Sequence, residues 1–215
     1  MIGMTICEFL LQELGQDNSG HDVAHAQRVV AFAAKIHAKE GGDWPYIEGC
    51  ALLHDCLDSK LGLDTEKQRA RVYGILLNNS FDDQRAKEMI RTMSRMSFHL
   101  HDEENLSLED KIVRDADRLD AMGEVGARRA LEYGYAHGRP FITEDNKKDI
   151  ESGQRPTGES TVVHFFDKLL ILDRYLYTGT AKELAVLLKQ ELIQSLRQLL
   201  LDEGISLPQT LLGTL

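Results

Sequence analysis

Three His-Asp doublets stand out among the residues able to do chemistry: His21-Asp22, His54-Asp55 and His101-Asp102. The doublet by itself is common, and context separates the three. His54-Asp55 follows Cys50-Ala51-Leu52-Leu53, at the end of an apolar helical run. Burying an imidazole and a carboxylate there is costly unless something satisfies them. The other two doublets lie in polar surroundings. A metal ion is an economical satisfier. Imidazole nitrogen and carboxylate oxygen suit Mn, Fe, Ni, Co or Zn, whereas a soft thiolate site would call for paired cysteines.

Neighbouring helical residues point about 100° apart, so His54 and Asp55 reach one ion only near a helix end and need partners from other helices. His25 is the best candidate on the preceding amphipathic helix. Asp117, in KIVRDADRLD, is the best fourth ligand. Blander readings exist for each. A lone helical histidine is more often a satisfied core or surface residue. The aspartates of DADRLD also read as solvated helix charges or as partners of Arg114 or Arg118.

The elements that must position these residues are helices. Only four prolines occur (Pro45, Pro140, Pro156 and Pro208), and none lies between Pro45 and Pro140. That stretch is rich in Ala, Leu, Arg, Glu and Met, which suit helices. Period-two runs of β-branched residues are almost absent. The pattern predicts an all-α chain with helices near 4–14, 21–40, 46–57, 66–79, 83–97, 108–132, 160–177 and 180–203. Val23, Ala26, Val30, Ala33 and Ile36 mark the apolar face of the second. The stretch 134–159 holds four glycines and two prolines and reads as a long loop, a candidate lid. Leucines near the end (Leu169, Leu170, Leu172, Leu184, Leu187, Leu188) read as core or oligomer packing, which makes a homodimer a reasonable expectation.

The chain has 215 residues, a formal charge of −10, 42% hydrophobic and 28% charged residues. One domain spanning 1–215 is expected, with its core at about 20–180 and a C-terminal helical extension from about 180. The acidic balance argues against duplex nucleic acid or an anionic membrane as partner. No run approaches the roughly 18–20 apolar residues of a membrane helix. The opening MIGMTICEFLLQELGQDNSG lacks a basic region and carries Glu8 and Glu13, so no secretory leader is expected. Cys7, Cys50 and Cys56 form no CxxC pair, which fits reduced thiols in a cytoplasmic protein. No GxxxxGK loop is present, so a P-loop mechanism has no support.

The order His25, His54-Asp55, Asp117 resembles the H…HD…D signature of the HD-domain superfamily of metal-dependent phosphohydrolases. The segments GHDVAHAQRVVAFAAKI, CALLHDCLDSK, KIVRDADRLDAMGEVGARRA and VVHFFDKLL are similar to those of its YpgQ/YedJ-like branch of small bacterial hydrolases. The resemblance covers roughly 20–180. It implies an all-α HD-domain bundle around one divalent ion (Mn, Ni, Co, Fe, Zn or Mg, with Mn favoured). It also implies hydrolysis of phosphate esters or anhydrides, usually of nucleotides. Some members of the branch release a nucleoside monophosphate and pyrophosphate from a triphosphate. A nucleoside triphosphate pyrophosphohydrolase is therefore the leading expectation. A 5′-monophosphatase, a phosphodiesterase and a nucleotide-sensing module without turnover are the alternatives.

Asp58 lies three residues after Asp55 and four after His54, so all three can share a helical face. HD nucleotidases carry an acid at that place, and Asp58 is the candidate for orienting or deprotonating the attacking water. It also reads as a charge near a helix end. Arg28, one turn after His25, Lys60 and Arg118 are candidate phosphate clamps or surface ion-pair partners. Asp22 either accepts from His25 or caps its helix. His99 and His101, in a polar SFHLHDEEN stretch, read as a loop with surface or substrate contacts, and in binuclear relatives such histidines hold a second metal. His164, at the start of an apolar helix, faces either the site or the core.

Overall fold

A computed structural model describes residues 5–14, 22–57, 65–96 and 105–213. Among these residues every regular element is helical. The chain divides into two compact units, 1–117 and 118–215.

The first unit contains α1 (Ile6–Leu14), α2 (Val23–Glu40), α3 (Trp44–Leu53), α4 (Thr65–Asn78), α5 (Asp83–Ser94) and most of α6 (Leu108–Asp120). Asp22 caps α2, accepting from the His25 amide at 2.7 Å. Asp43 caps α3, where Pro45 occupies the first turn and gives up no helical hydrogen bond. Asp82 caps α5 in the same way. The buried stripe of α2 comprises His25, Ala26, Val29, Ala33 and Ile36. Ala26, Ala33 and Ile36 are buried as expected, while Val29 is buried and Val30 only half-buried. Ile47, Cys50, Ala51 and Leu53 of α3 meet this core, with Leu76, Met89 and Ile112.

The second unit contains α7 (Gly123–Ala136), α8 (Glu144–Glu151), α9 (Thr161–Asp167), α10 (Gly179–Asp202) and α11 (Gln209–Leu212). A single helix over 108–132 was the sequence expectation. The chain breaks instead at Met122, which is extended, and Gly123, whose φ is +68°. A Cβ at Gly123 would stand 3.0 Å from side-chain atoms of Leu188 and Glu191, so the turn strongly favours glycine. The expected loop over 134–159 is also corrected. α7 runs on to Ala136, and α8 forms inside the segment, capped by Thr143. Asn146 of α8 is buried, donates to the Thr157 carbonyl at 2.8 Å and accepts from Ser160 at 2.6 Å. That net ties the segment down, against the lid reading. Leu169, Leu170 and Leu172 are core residues in a 3₁₀ turn, whereas Leu187 and neighbouring Val186 on α10 are exposed. No helix among the described residues is long and apolar enough to cross a membrane.

Candidate metal centre

α3 ends by tightening into a 3₁₀ turn, His54–Leu57. That change of helical type lets two consecutive residues face one point: His54 Nε2 lies 3.3 Å from Asp55 Oδ1. Nδ1 of His54 lies 2.9 Å from the Ala51 carbonyl. A carbonyl only accepts, so Nδ1 carries the proton and Nε2 keeps its lone pair for the site. His25 comes from the first turn of α2, just inside the Asp22 cap. The cap grips the backbone amide of His25, so of the two readings for Asp22 it is the capping role that the structure displays.

Nε2 of His25 lies 3.2 Å from Nε2 of His54 and 3.3 Å from Asp55 Oδ2. Asp117 Oδ1, from α6, is 3.5 Å from His25 Nε2 and 3.7 Å from His54 Nε2. His25, His54 and Asp55 are buried, while the Asp117 side chain is 35% exposed, so the cluster opens towards solvent on that side. Ligand atoms about 2.0–2.2 Å from one ion stand roughly 3 Å apart when adjacent and about 4 Å when opposite. His25, His54 and Asp55 have that spacing, and Asp117 Oδ1 approaches the same two imidazoles from α6. Two imidazoles and two carboxylates also match a hard-to-borderline divalent ion. The residues therefore fit the metal that the sequence pattern implies.

The electrostatics agree. Burial opposes protonation of His54, yet Asp55 and Asp117 outweigh it and its pKa is raised. Burial likewise opposes ionisation of Asp117, but the facing imidazoles of His25 and His54 hold its pKa well below the ordinary carboxylate value. The cluster attracts positive charge, supplied by a proton or by a metal. Cys50 and Cys56 beside the doublet are buried and stay thiols. Burial, then Asp55, pushes Cys56 up to about 12, and burial drives Cys50 well above its usual value.

Of the other candidates, Arg28 lies on α2 one turn beyond His25. Asp58, Lys60, His99 and His101 lie outside the described residues. Arg118 donates to the Tyr175 carbonyl and sits 5.0 Å from the Tyr177 ring centre. Within DADRLD the three acids have different surroundings. Asp117 faces the imidazoles, Asp115 is fully buried, and Asp120 is buried against Arg129 at 2.7 Å. Arg129 is the partner that the sequence reading missed. It lies nine residues on, past the Gly123 break, so helical i to i+4 spacing does not point to it. His164 belongs to the second unit.

An HD-domain family model matches residues 23–122. YpgQ of Bacillus subtilis is 36% identical over 189 residues, covering 86% of each chain. A crystal structure of YpgQ in complex with ADP superposes with a TM-score of 0.72 at 33% identity, covering 92% of this chain and 95% of that one. An HD-superfamily hydrolase from Bacillus thuringiensis superposes at 0.71 with 29% identity, over 94% of this chain and 96% of the other.

Proposed function

The chain belongs to the HD-domain family of metal-dependent phosphohydrolases, and we propose that it acts as a nucleoside triphosphate pyrophosphohydrolase. The observation that supports this reading is the grouping of His25, His54 and Asp55, with Asp117 Oδ1 facing both imidazoles. The ADP complex of YpgQ supports a nucleotide as ligand. In this proposal the four residues hold one divalent ion, with Mn favoured. When bound, such an ion acidifies a water and polarises a phosphoryl oxygen.

The protein's own groups do the rest. The Ala51 carbonyl keeps His54 in the tautomer whose Nε2 can ligate. The Asp22 cap fixes the first turn of α2 and with it the position of His25. Asp117 stays ionised because two imidazoles face it. Asp58 would orient the attacking water and take its proton. Arg28 and Lys60 would hold phosphate oxygens and offset the charge that spreads in the transition state. Arg118 donates to the Tyr175 carbonyl through Nη1, and in this proposal its other donors would hold a phosphate oxygen.

The test strips the full-length protein of metal, restores Mn and screens nucleoside mono-, di- and triphosphates with chromatography of the products, alongside Asp55→Ala. Monophosphate plus pyrophosphate from a triphosphate, absent in the variant, is the expected result. Inorganic phosphate released from monophosphates would replace the proposal with a nucleotidase. No turnover with metal bound would replace it with a sensing module.

A further inference from the structure

At the start of α3, away from the end that carries His54, a cavity of about 370 Å³ opens between α3, α5 and the beginning of α6. Tyr46, on its wall, precedes His54 by eight residues, or about 12 Å of helix at 1.5 Å per residue. None of His25, His54, Asp55 and Asp117 lines the cavity, although Arg114 on its wall precedes Asp117 by one turn of α6.

Its walls carry four acids and four arginines, but the two signs are not equally committed. Asp43 caps α3 and pairs with Arg85. Glu109 accepts from the Asp43 amide at 3.1 Å. Asp110 accepts from Thr92 and from the Ser107 amide, closing the turn that starts α6. Glu88 accepts from Gln84 at 3.0 Å. Each acid thus has a local structural duty. Arg114 is different: the residue is only 3% exposed. Its Nη2 donates to the Arg95 carbonyl at 2.7 Å, which fixes the guanidinium plane. Its Nε is buried with no hydrogen-bond acceptor among the described residues, and no carboxylate there pairs with it. Arg91, on the rim, likewise has no ion pair among them.

A buried guanidinium without a counter-ion is unfavourable unless an anion joins it. One carboxylate would neutralise one arginine. A phosphate group, with up to two charges and three acceptor oxygens, matches two arginine forks at once. We propose that this cavity is a second binding site, distinct from the metal centre, for a phosphate-bearing anion held by Arg114 and Arg91.

The test uses metal-free full-length protein at low salt, titrated calorimetrically with inorganic phosphate, pyrophosphate and adenosine monophosphate. Saturable binding is expected in the parent and equally in Asp55→Ala. Arg91→Gln, at an exposed position that leaves folding intact, should weaken it about tenfold, the effect of one charge-assisted contact. Arg114→Gln should weaken it further where it folds. A monophosphate that binds at least as tightly as pyrophosphate and more tightly than phosphate identifies a nucleotide ligand, and equal affinities identify the bare phosphate group. Both outcomes sustain the site. Loss of binding in Asp55→Ala, binding unchanged in Arg91→Gln, or no saturable binding in the parent would each overturn it. The Asp55→Ala arm separates this result from the fate of the proposed enzymatic activity.

Discussion

His54 and His164 are both buried or half-buried imidazoles in apolar helical runs, and their environments push them in opposite directions. Burial disfavours the charged form of each. At His54 two carboxylates, Asp55 and Asp117, reverse that effect and raise the pKa. At His164 burial is reinforced by Lys168 and Arg139, and Asp167 recovers too little, so the pKa falls to about 4. The first imidazole sits in a place that draws in a cation; the second sits in a place that excludes one. Residue type and burial do not distinguish a ligand from a core histidine. The sign of the neighbouring charges does.

The strongest way to break this contrast is to remove a carboxylate from the His54 side. Asp55→Ala should lower metal-dependent hydrolysis by about 10³-fold or more, because the ion contributes several kcal/mol to transition-state stabilisation. It should also weaken metal binding, measured by competition with a chelating dye. Parental turnover in this variant would remove Asp55 from the ligand set. Asp58→Asn sharpens the comparison by sparing the proposed ligands. Here turnover should fall by at least about 10²-fold, the lower end for a lost general base, with metal affinity near the parental value. A loss of metal together with activity would make Asp58 a ligand instead.

How far these roles were legible in the sequence follows from the same contrast. The helices were readable because apolar spacing and proline placement are local properties. The break at Gly123 was not, because it depends on Leu188 and Glu191, which meet that glycine only in the fold. α8 was hidden by the glycines and prolines on either side of it, although its Thr143 cap is a recognisable start signal. The grouping of His25, His54, Asp55 and Asp117 was suggested by their order along the chain and by family resemblance. The spacing of their atoms could come only from the structure. His164 stayed ambiguous because Arg139, which lowers its pKa, is 25 residues away in sequence. The uncompensated charge of Arg114 escaped for a similar reason. Asp110 is placed to pair with it on one helix, but accepts from Thr92 and Ser107 instead.

The His164 side of the contrast makes a prediction about acid. Its folded pKa of about 4 lies below the ordinary value of 6.5. The folded state thus binds the proton more weakly than the unfolded chain does. This contribution to stability is complete above pH 6.5 and declines as pH falls towards 4. With the ring partly exposed, the loss should be on the order of 2 kcal/mol. Denaturant unfolding of metal-free protein across this range should show it, and His164→Phe should flatten that limb. An acid limb of equal slope in the variant would show that His164 does not govern it.

The smallest expected effect tests how the His54 cluster is assembled. Asp22 contacts the backbone of His25 but not its ring, so Asp22→Ala should act first on the helix. Loss of an N-cap costs about 1 kcal/mol, read as a lower unfolding midpoint in metal-free protein. Fraying of the first turn of α2 would also loosen His25, and metal affinity should fall modestly as a consequence. Asp22→Ser, which can still accept from the same amide, should restore both. Restored stability without restored metal affinity would mean that the Asp22 carboxylate acts on the centre through its charge, and not only through the cap.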